Sequence, residues 1–237
     1  MRAWALAALD LVFPALCPVC QATLAARRRD PLCGGCWDAI RRLGPPACER
    51  CGLPFAAPAA AGLCGACARE RPAWDWARAA AEFEGATRDA LHAFKFHGRR
   101  ALARPLAALL LEQWGPALAA AALDALVPVP LGRARERERG FNQAALVAER
   151  LASALGVPAR PRWLVRTRAT TPQSDLGAAE RRANVRGAFA ADTAVAGRHV
   201  ALVDDVLTTG ATAAECARML KAAGAARVGL LTVARVL

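Results

Sequence analysis

The sequence predicts an α/β fold, a parallel-sheet core with helices on both faces, preceded by a small cysteine-rich module. Three observations predict it. Eight of the nine cysteines fall early in the chain as four C-x-x-C pairs. From His199 onward the pattern reads strand, loop, helix, strand. At 237 residues and 55% hydrophobic content the chain is long enough for one ordinary core plus a smaller accessory unit. The expected divisions are an N-terminal amphipathic helix at 1–14, the cysteine module at 15–72 and the α/β domain at 73–237.

Residues 1–16 are mostly apolar and lead into Cys17, a layout shared with export signals. Asp10 interrupts the run, however, and Leu16 is a poor residue before a cleavage site. A short amphipathic helix is expected instead. No apolar run reaches the roughly 18 to 20 residues that cross a bilayer. The expectation is a cytoplasmic protein with no membrane span.

The cysteine pairs are Cys17/Cys20, Cys33/Cys36, Cys48/Cys51 and Cys64/Cys67, and the second four repeat the first at a constant offset of 31 residues. Such register marks an internal duplication, with too few copies for a solenoid. A C-x-x-C turn brings two thiolates to one ion, and two such turns complete a tetrahedral zinc site. Gly34, Gly35, Gly52 and Gly65 lie beside or within the turns. Residues 15–72 hold too few large apolar side chains for a core of their own, so metal binding must supply their folding free energy. Two structural Zn²⁺ sites are expected, each closed by four sulfurs. Sequential ligand pairing closes shorter loops, but an interleaved arrangement stays open. Cys216, alone in an apolar helical stretch, reads as a packing residue.

In the C-terminal half, the strand His199 to Val203 leads into Asp204-Asp205-Val206-Leu207-Thr208-Thr209-Gly210-Ala211-Thr212. A helix from about Ala211 to Ala223 and a strand from Val228 to Val233 follow. Where a parallel strand enters a helix, free backbone N–H groups and the helix dipole converge on an anion. Three threonine hydroxyls and Gly210 complete a phosphate cradle. Walker and dinucleotide glycine patterns are absent. The two acids suit ligand hydroxyls or a metal ion.

This string resembles the signature of type I phosphoribosyltransferases, which bind phosphoribosyl pyrophosphate (PRPP). The resemblance implies that Asp204 and Asp205 engage the ribose hydroxyls and that Thr208 to Thr212 hold the 5-phosphate, with Mg²⁺ accompanying PRPP. Upstream, Val127 to Pro130 reads as a strand, followed by Arg133, Arg135, Arg137 and the string Arg139-Gly140-Phe141-Asn142-Gln143, which opens a helix to about Leu155. That string resembles the hallmark of the ComF family, in which a double zinc ribbon precedes the transferase domain. In the family this loop lies over pyrophosphate, which guanidinium groups suit; Arg139 is the chosen catalytic arginine, with Arg133 a phosphate contact. Arg166-Thr167-Arg168 to Ser174, Arg181 to Asn184 and Phe189 resemble the family's cationic mobile loop. Phe94 to Arg100 resembles its lysine and aromatic segment, making Lys95 a phosphate candidate.

The resemblance implies Mg²⁺-dependent phosphoribosyl transfer with release of pyrophosphate to an unidentified acceptor, linked to DNA uptake in natural competence. Little sequence follows Val233 from which to build a base pocket, so the alternative is an inactive competence protein binding PRPP and single-stranded DNA. A formal net charge of +12, with 30 of 32 basic residues arginine, agrees with polyanion partners. Residues 132–186 carry 12 Arg against 5 acids. Trp37, Trp74, Trp76 and Phe55 are the candidate stacking platforms for single strands, although each also reads as a packing residue. Other competence or DNA-processing proteins are the expected protein partners.

Overall fold

The computed structural model describes residues 15–24, 31–57, 61–170 and 177–237. The helix expected at 1–14 and the stretch Thr171 to Ser174 lie outside the described residues. Two short helices, α1 (Gly34–Asp38) and α2 (Gly65–Arg69), belong to the cysteine module. Then come β1 (Trp76–Glu82), α3 (Gly85–Phe96), α4 (Ala103–Ala120), β2 (Ala125–Pro128), α5 (Arg133–Arg139) and α6 (Gln143–Leu155). The chain continues through β3 (Leu164–Arg166), α7 (Ala178–Val185), β4 (Phe189–Ala191), β5 (His199–Leu207), α8 (Ala211–Ala222) and β6 (Arg227–Arg235).

Four strands pair in the order β1-β6-β5-β2, every pair parallel. Such a sheet must be buried on both faces, and near-continuous apolar runs such as Val200 to Val203 meet that need. One face packs under α3, α4 and α6 through Leu91, Phe94, Leu106, Leu110, Val147 and Leu151. The other packs under α8 and the antiparallel pair β3–β4 through Leu164, Phe189, Cys216 and Leu220. Asn142 caps α6 by accepting the Ala144 and Ala145 N–H groups, and Gly156 ends it in the left-handed conformation. Strand β5 runs past the predicted Val203 to Leu207 and so carries both acids.

The cysteine module covers the sheet edge. Arg41 to Leu43, between the two repeats, runs antiparallel to β1: Leu43 N–H donates to Ala80 O at 2.7 Å and Glu82 N–H to Arg41 O at 2.9 Å. An exposed edge strand is a template for aggregation, and this segment occupies it. The second repeat abuts β1 so closely that a Cβ on Gly52 would lie 2.5 Å from Ala77 O. Arg235 Nη1 donates to Cys51 O at 2.7 Å, tying that repeat to β6. Among the described residues, no helix is long and apolar enough to cross a membrane.

Candidate active site and zinc centres

The two cysteine sets share backbone as well as spacing. Cys17 N–H donates to Ala22 O and Cys48 N–H to Leu53 O; Gln21 N–H donates to Cys17 O and Gly52 N–H to Cys48 O. Each pair of bonds is offset like the cysteines, so the duplication extends to structure. The sulfurs gather sequentially, Cys17, Cys20, Cys33 and Cys36 in one tetrad and Cys48, Cys51, Cys64 and Cys67 in the other, all within 4.8 Å of one another in each. Sulfurs around a tetrahedral zinc at about 2.3 Å stand about 3.8 Å apart. Cys20 and Cys33 lie 3.5 Å apart, Cys51 and Cys64 3.7 Å. The donor set therefore fits one zinc per tetrad with no position left for substrate.

The tetrads favour thiolate at one ligand each. Burial opposes ionisation of Cys17, but N–H groups of Cys20, Cys33 and Val19 outweigh it and pull the thiol to about 6. Cys48 is likewise held at about 6, against burial, by N–H groups of Cys51, Cys64 and Arg50. Burial pushes Cys36 and Cys67 up, so the last ligands ionise only when metal arrives.

At the carboxyl ends of β2 and β5 opens a cavity of about 300 Å³. Its wall includes Lys95, Val129 to Leu131, Arg135, Arg139, Asn142, Gln143, Arg166, Thr170, Arg181, Asp204 to Thr208, Gly210 to Ala213 and Thr232. This is where open parallel sheets bind ligands. The five residues Arg139 to Gln143 have separate tasks. Arg139 lines the cavity and lies over the Phe96 ring at 4.8 Å; burial holds its guanidinium below the ordinary value, with Asp205 opposing. Gly140 ends α5 at φ 74°. Phe141 packs against Phe94 with centroids 5.6 Å apart. Asn142 Nδ2 donates to Val129 O at 3.0 Å, fastening α6 to the end of β2. Gln143 turns into the cavity.

The acids sit at the cavity floor. Lys95 Nζ lies 2.9 Å from Asp205 Oδ1, and Asp204 Oδ1 accepts the Asp205 N–H at 2.8 Å. Burial and the neighbouring Asp205 push Asp204 up to about 7, with Lys95 acting the other way. The sequence placed Lys95 at a phosphate; in the free protein its partner is a carboxylate. Gly210 enters α8 at φ 72°, and a Cβ there would lie 2.8 Å from the Trp74 ring. Trp74 therefore underlies the threonine loop, a relation no spacing in the sequence reveals.

Two residues predicted for the site stand apart from it. Arg133 is not in the cavity wall; Arg135 and Arg139 are, because residues four apart share a helix face and Arg133 sits half a turn away from Arg135. Thr209 is also outside the wall, and its hydroxyl accepts the Ala211 N–H at 3.4 Å, supporting the start of α8. Arg166 and Arg181, from the cationic stretch, do line the cavity. Glu215, buried on α8, accepts the Gly187 N–H at 2.7 Å and so fixes the far end of that stretch. Trp74 and Trp76 are buried, Trp37 packs against the main core and Phe55 against the second cysteine set. Cys216 is buried in the core under α8, its thiol pushed up by burial.

A parallel sheet whose central strand ends in an acid pair and a threonine loop, edged by two zinc-binding tetrads, defines a phosphoribosyltransferase domain joined to a double zinc ribbon. Comparison with known families agrees: residues 8–68 match the double zinc ribbon domain and residues 142–237 the phosphoribosyl transferase domain. The chain is 36% identical over 230 residues to the DNA utilization protein YhgH of Salmonella typhimurium, covering 96% of this chain and 100% of that protein. It is 32% identical over 213 residues to Competence protein F of Haemophilus influenzae, covering 87% and 91%. With Competence protein ComFC of Bacillus subtilis it shares 39% identity over 111 residues, 46% of this chain and 44% of that one. The chain belongs to the ComF family.

Proposed function

We propose that the cavity binds PRPP with Mg²⁺ and transfers its phosphoribosyl group to an acceptor, releasing pyrophosphate, in a process that uses DNA. One observation carries this reading: the Asp204–Asp205 pair and Thr208, Gly210, Ala211 and Thr212 face the same cavity as Arg135, Arg139, Arg166 and Arg181. Acids that accept from hydroxyls stand beside a loop of N–H and hydroxyl donors, and both face cations. A ligand with a diol, a terminal phosphate and a pyrophosphate matches all three. The names of the relatives tie the process to DNA utilization and competence.

In this reading the loop from Thr208 into α8 holds the 5-phosphate through backbone N–H groups and the Thr208 and Thr212 hydroxyls. Asp204 and Asp205 orient the ribose. Lys95 releases Asp205 as the ligand arrives and turns to its phosphates. Oxygen donors at 204 and 205 fit Mg²⁺, which when bound offsets pyrophosphate charge. Arg139 stands where charge develops on the leaving group, in a wall partly shielded from water. Bond breaking at the sugar carbon needs positioning and charge neutralisation, not a protein nucleophile.

Calorimetric titration of the zinc-loaded protein with PRPP and Mg²⁺ tests the reading. Saturable binding that disappears in Asp204→Asn/Asp205→Asn, with zinc content unchanged, is the expected result. Retention of binding by that double variant overturns the site. Release of pyrophosphate on adding single-stranded DNA or free bases then separates turnover from binding alone.

A further inference from the structure

Two side chains in the cavity wall have nothing to bond. Gln143 is 2% exposed and Thr232 1%, both line the cavity, and among the described residues Gln143 Nε2 and Thr232 Oγ1 have no hydrogen-bond partner. An unpaired buried polar group costs about 1–3 kcal/mol. Buried polar groups in folded proteins are otherwise almost always satisfied, so each such orphan calls for a specific account.

Thr232 lies on β6 in register with Asp204 on β5. Val200 and Leu202 of β5, and Val228 and Leu230 of β6, all face the core under α8. Side chains alternate along a strand, so Asp204 and Thr232 share that same face, about 5 Å apart. A carboxylate only accepts, whereas a threonine hydroxyl donates and accepts. A ligand hydroxyl between them gives its proton to Asp204 and accepts the proton of Thr232, satisfying all three. Gln143 comes from α6, which covers the opposite face. Its neighbour Asn142 already caps that helix, leaving the Gln143 amide N–H free for a ligand oxygen.

We propose that Thr232 and Gln143 are ligand-binding residues of this cavity. Thr232, together with Asp204, holds one hydroxyl of a ribosyl group, and Gln143 donates to a ligand oxygen from the facing wall. The proposal deepens the PRPP reading and rests on it.

The test is calorimetric titration of PRPP with Mg²⁺ into wild type, Thr232→Val, Thr232→Ser and Gln143→Met, with a thermal melt of each. Thr232→Val is isosteric and removes an unpaired hydroxyl, so its Tm is expected to match or exceed wild type. Its PRPP affinity is expected to fall about tenfold or more, because a site built around a hydroxyl discriminates strongly when one partner is lost. Thr232→Ser restores affinity, and inorganic phosphate binds wild type and Thr232→Val equally, since the phosphate loop is unchanged. Gln143→Met loses about tenfold as well. PRPP affinities within twofold of wild type in both Thr232→Val and Gln143→Met would overturn the proposal, leaving two groups that serve packing alone. Failure of wild type itself to bind PRPP overturns the parent reading and this one with it.

Discussion

Replacing Gly210 with alanine joins the loop's backbone geometry to the packing beneath it. Gly210 has φ 72°, and a Cβ there would sit 2.8 Å from Trp74 Cη2 and 3.4 Å from Leu207 Cδ1. The left-handed conformation costs an L-residue about 1–2 kcal/mol. Trp74 is buried in the core under α8, so its ring cannot swing into solvent to make room, and overpacking of this kind costs about 1–3 kcal/mol. Together these predict a loss of about 2–5 kcal/mol. Urea denaturation measures it as a fall in the midpoint at constant m-value. Trp74→Leu opens the space, so Gly210→Ala/Trp74→Leu should lose less than the two single variants summed, by about 1–2 kcal/mol. The loop also shifts, so Gly210→Ala should bind PRPP weakly while retaining both zincs. A midpoint equal to wild type, or strict additivity with Trp74→Leu, would refute the packing of Trp74 against the loop.

Lys95→Met strips the cation that lies 2.9 Å from Asp205 Oδ1, and with both side chains still partly exposed the expected loss is about 2 kcal/mol at pH 8, read from chemical denaturation. Asp204, held near 7, binds its proton more readily folded than unfolded. Its contribution is therefore complete below the unfolded pKa and fades as pH rises from about 4 to about 7. Asp204→Asn should thus raise Tm at pH 8 and leave it unchanged at pH 4, while abolishing PRPP binding; an unchanged Tm at pH 8 would contradict the raised pKa. Metal analysis should find two zincs per chain. Their removal by chelator should increase amide exchange before residue 72 and expose the β1 edge, seen as time-dependent light scattering; a zinc-free protein with that region still protected would refute the structural role.

Much of the site is legible in the chain because its parts are local. The turn from Thr208 into α8, that helix and the helix ending at Leu155 each depend on neighbours a few positions away, and they form where the sequence places them, while β5 runs four residues further than expected. The cysteine repeat is local in the same sense, and short loops made sequential pairing the favoured arrangement that the tetrads adopt. The run of arginines is uniform in sequence, and only the helix α5 decides that Arg135 and Arg139 line the cavity while Arg133 does not.

What the sequence determined by itself was three of the strands (β2, β5 and β6), the acid pair, the threonine loop and the two cysteine tetrads, since each follows from spacing and side-chain chemistry. Only the tertiary structure decided that Lys95 meets Asp205, that Trp74 supports Gly210, that Thr232 stands beside Asp204 and that Arg41 to Leu43 close the edge of β1. These contacts follow from the strand order β1-β6-β5-β2. That order depends on how apolar faces bury one another across the whole chain, and no local pattern encodes it.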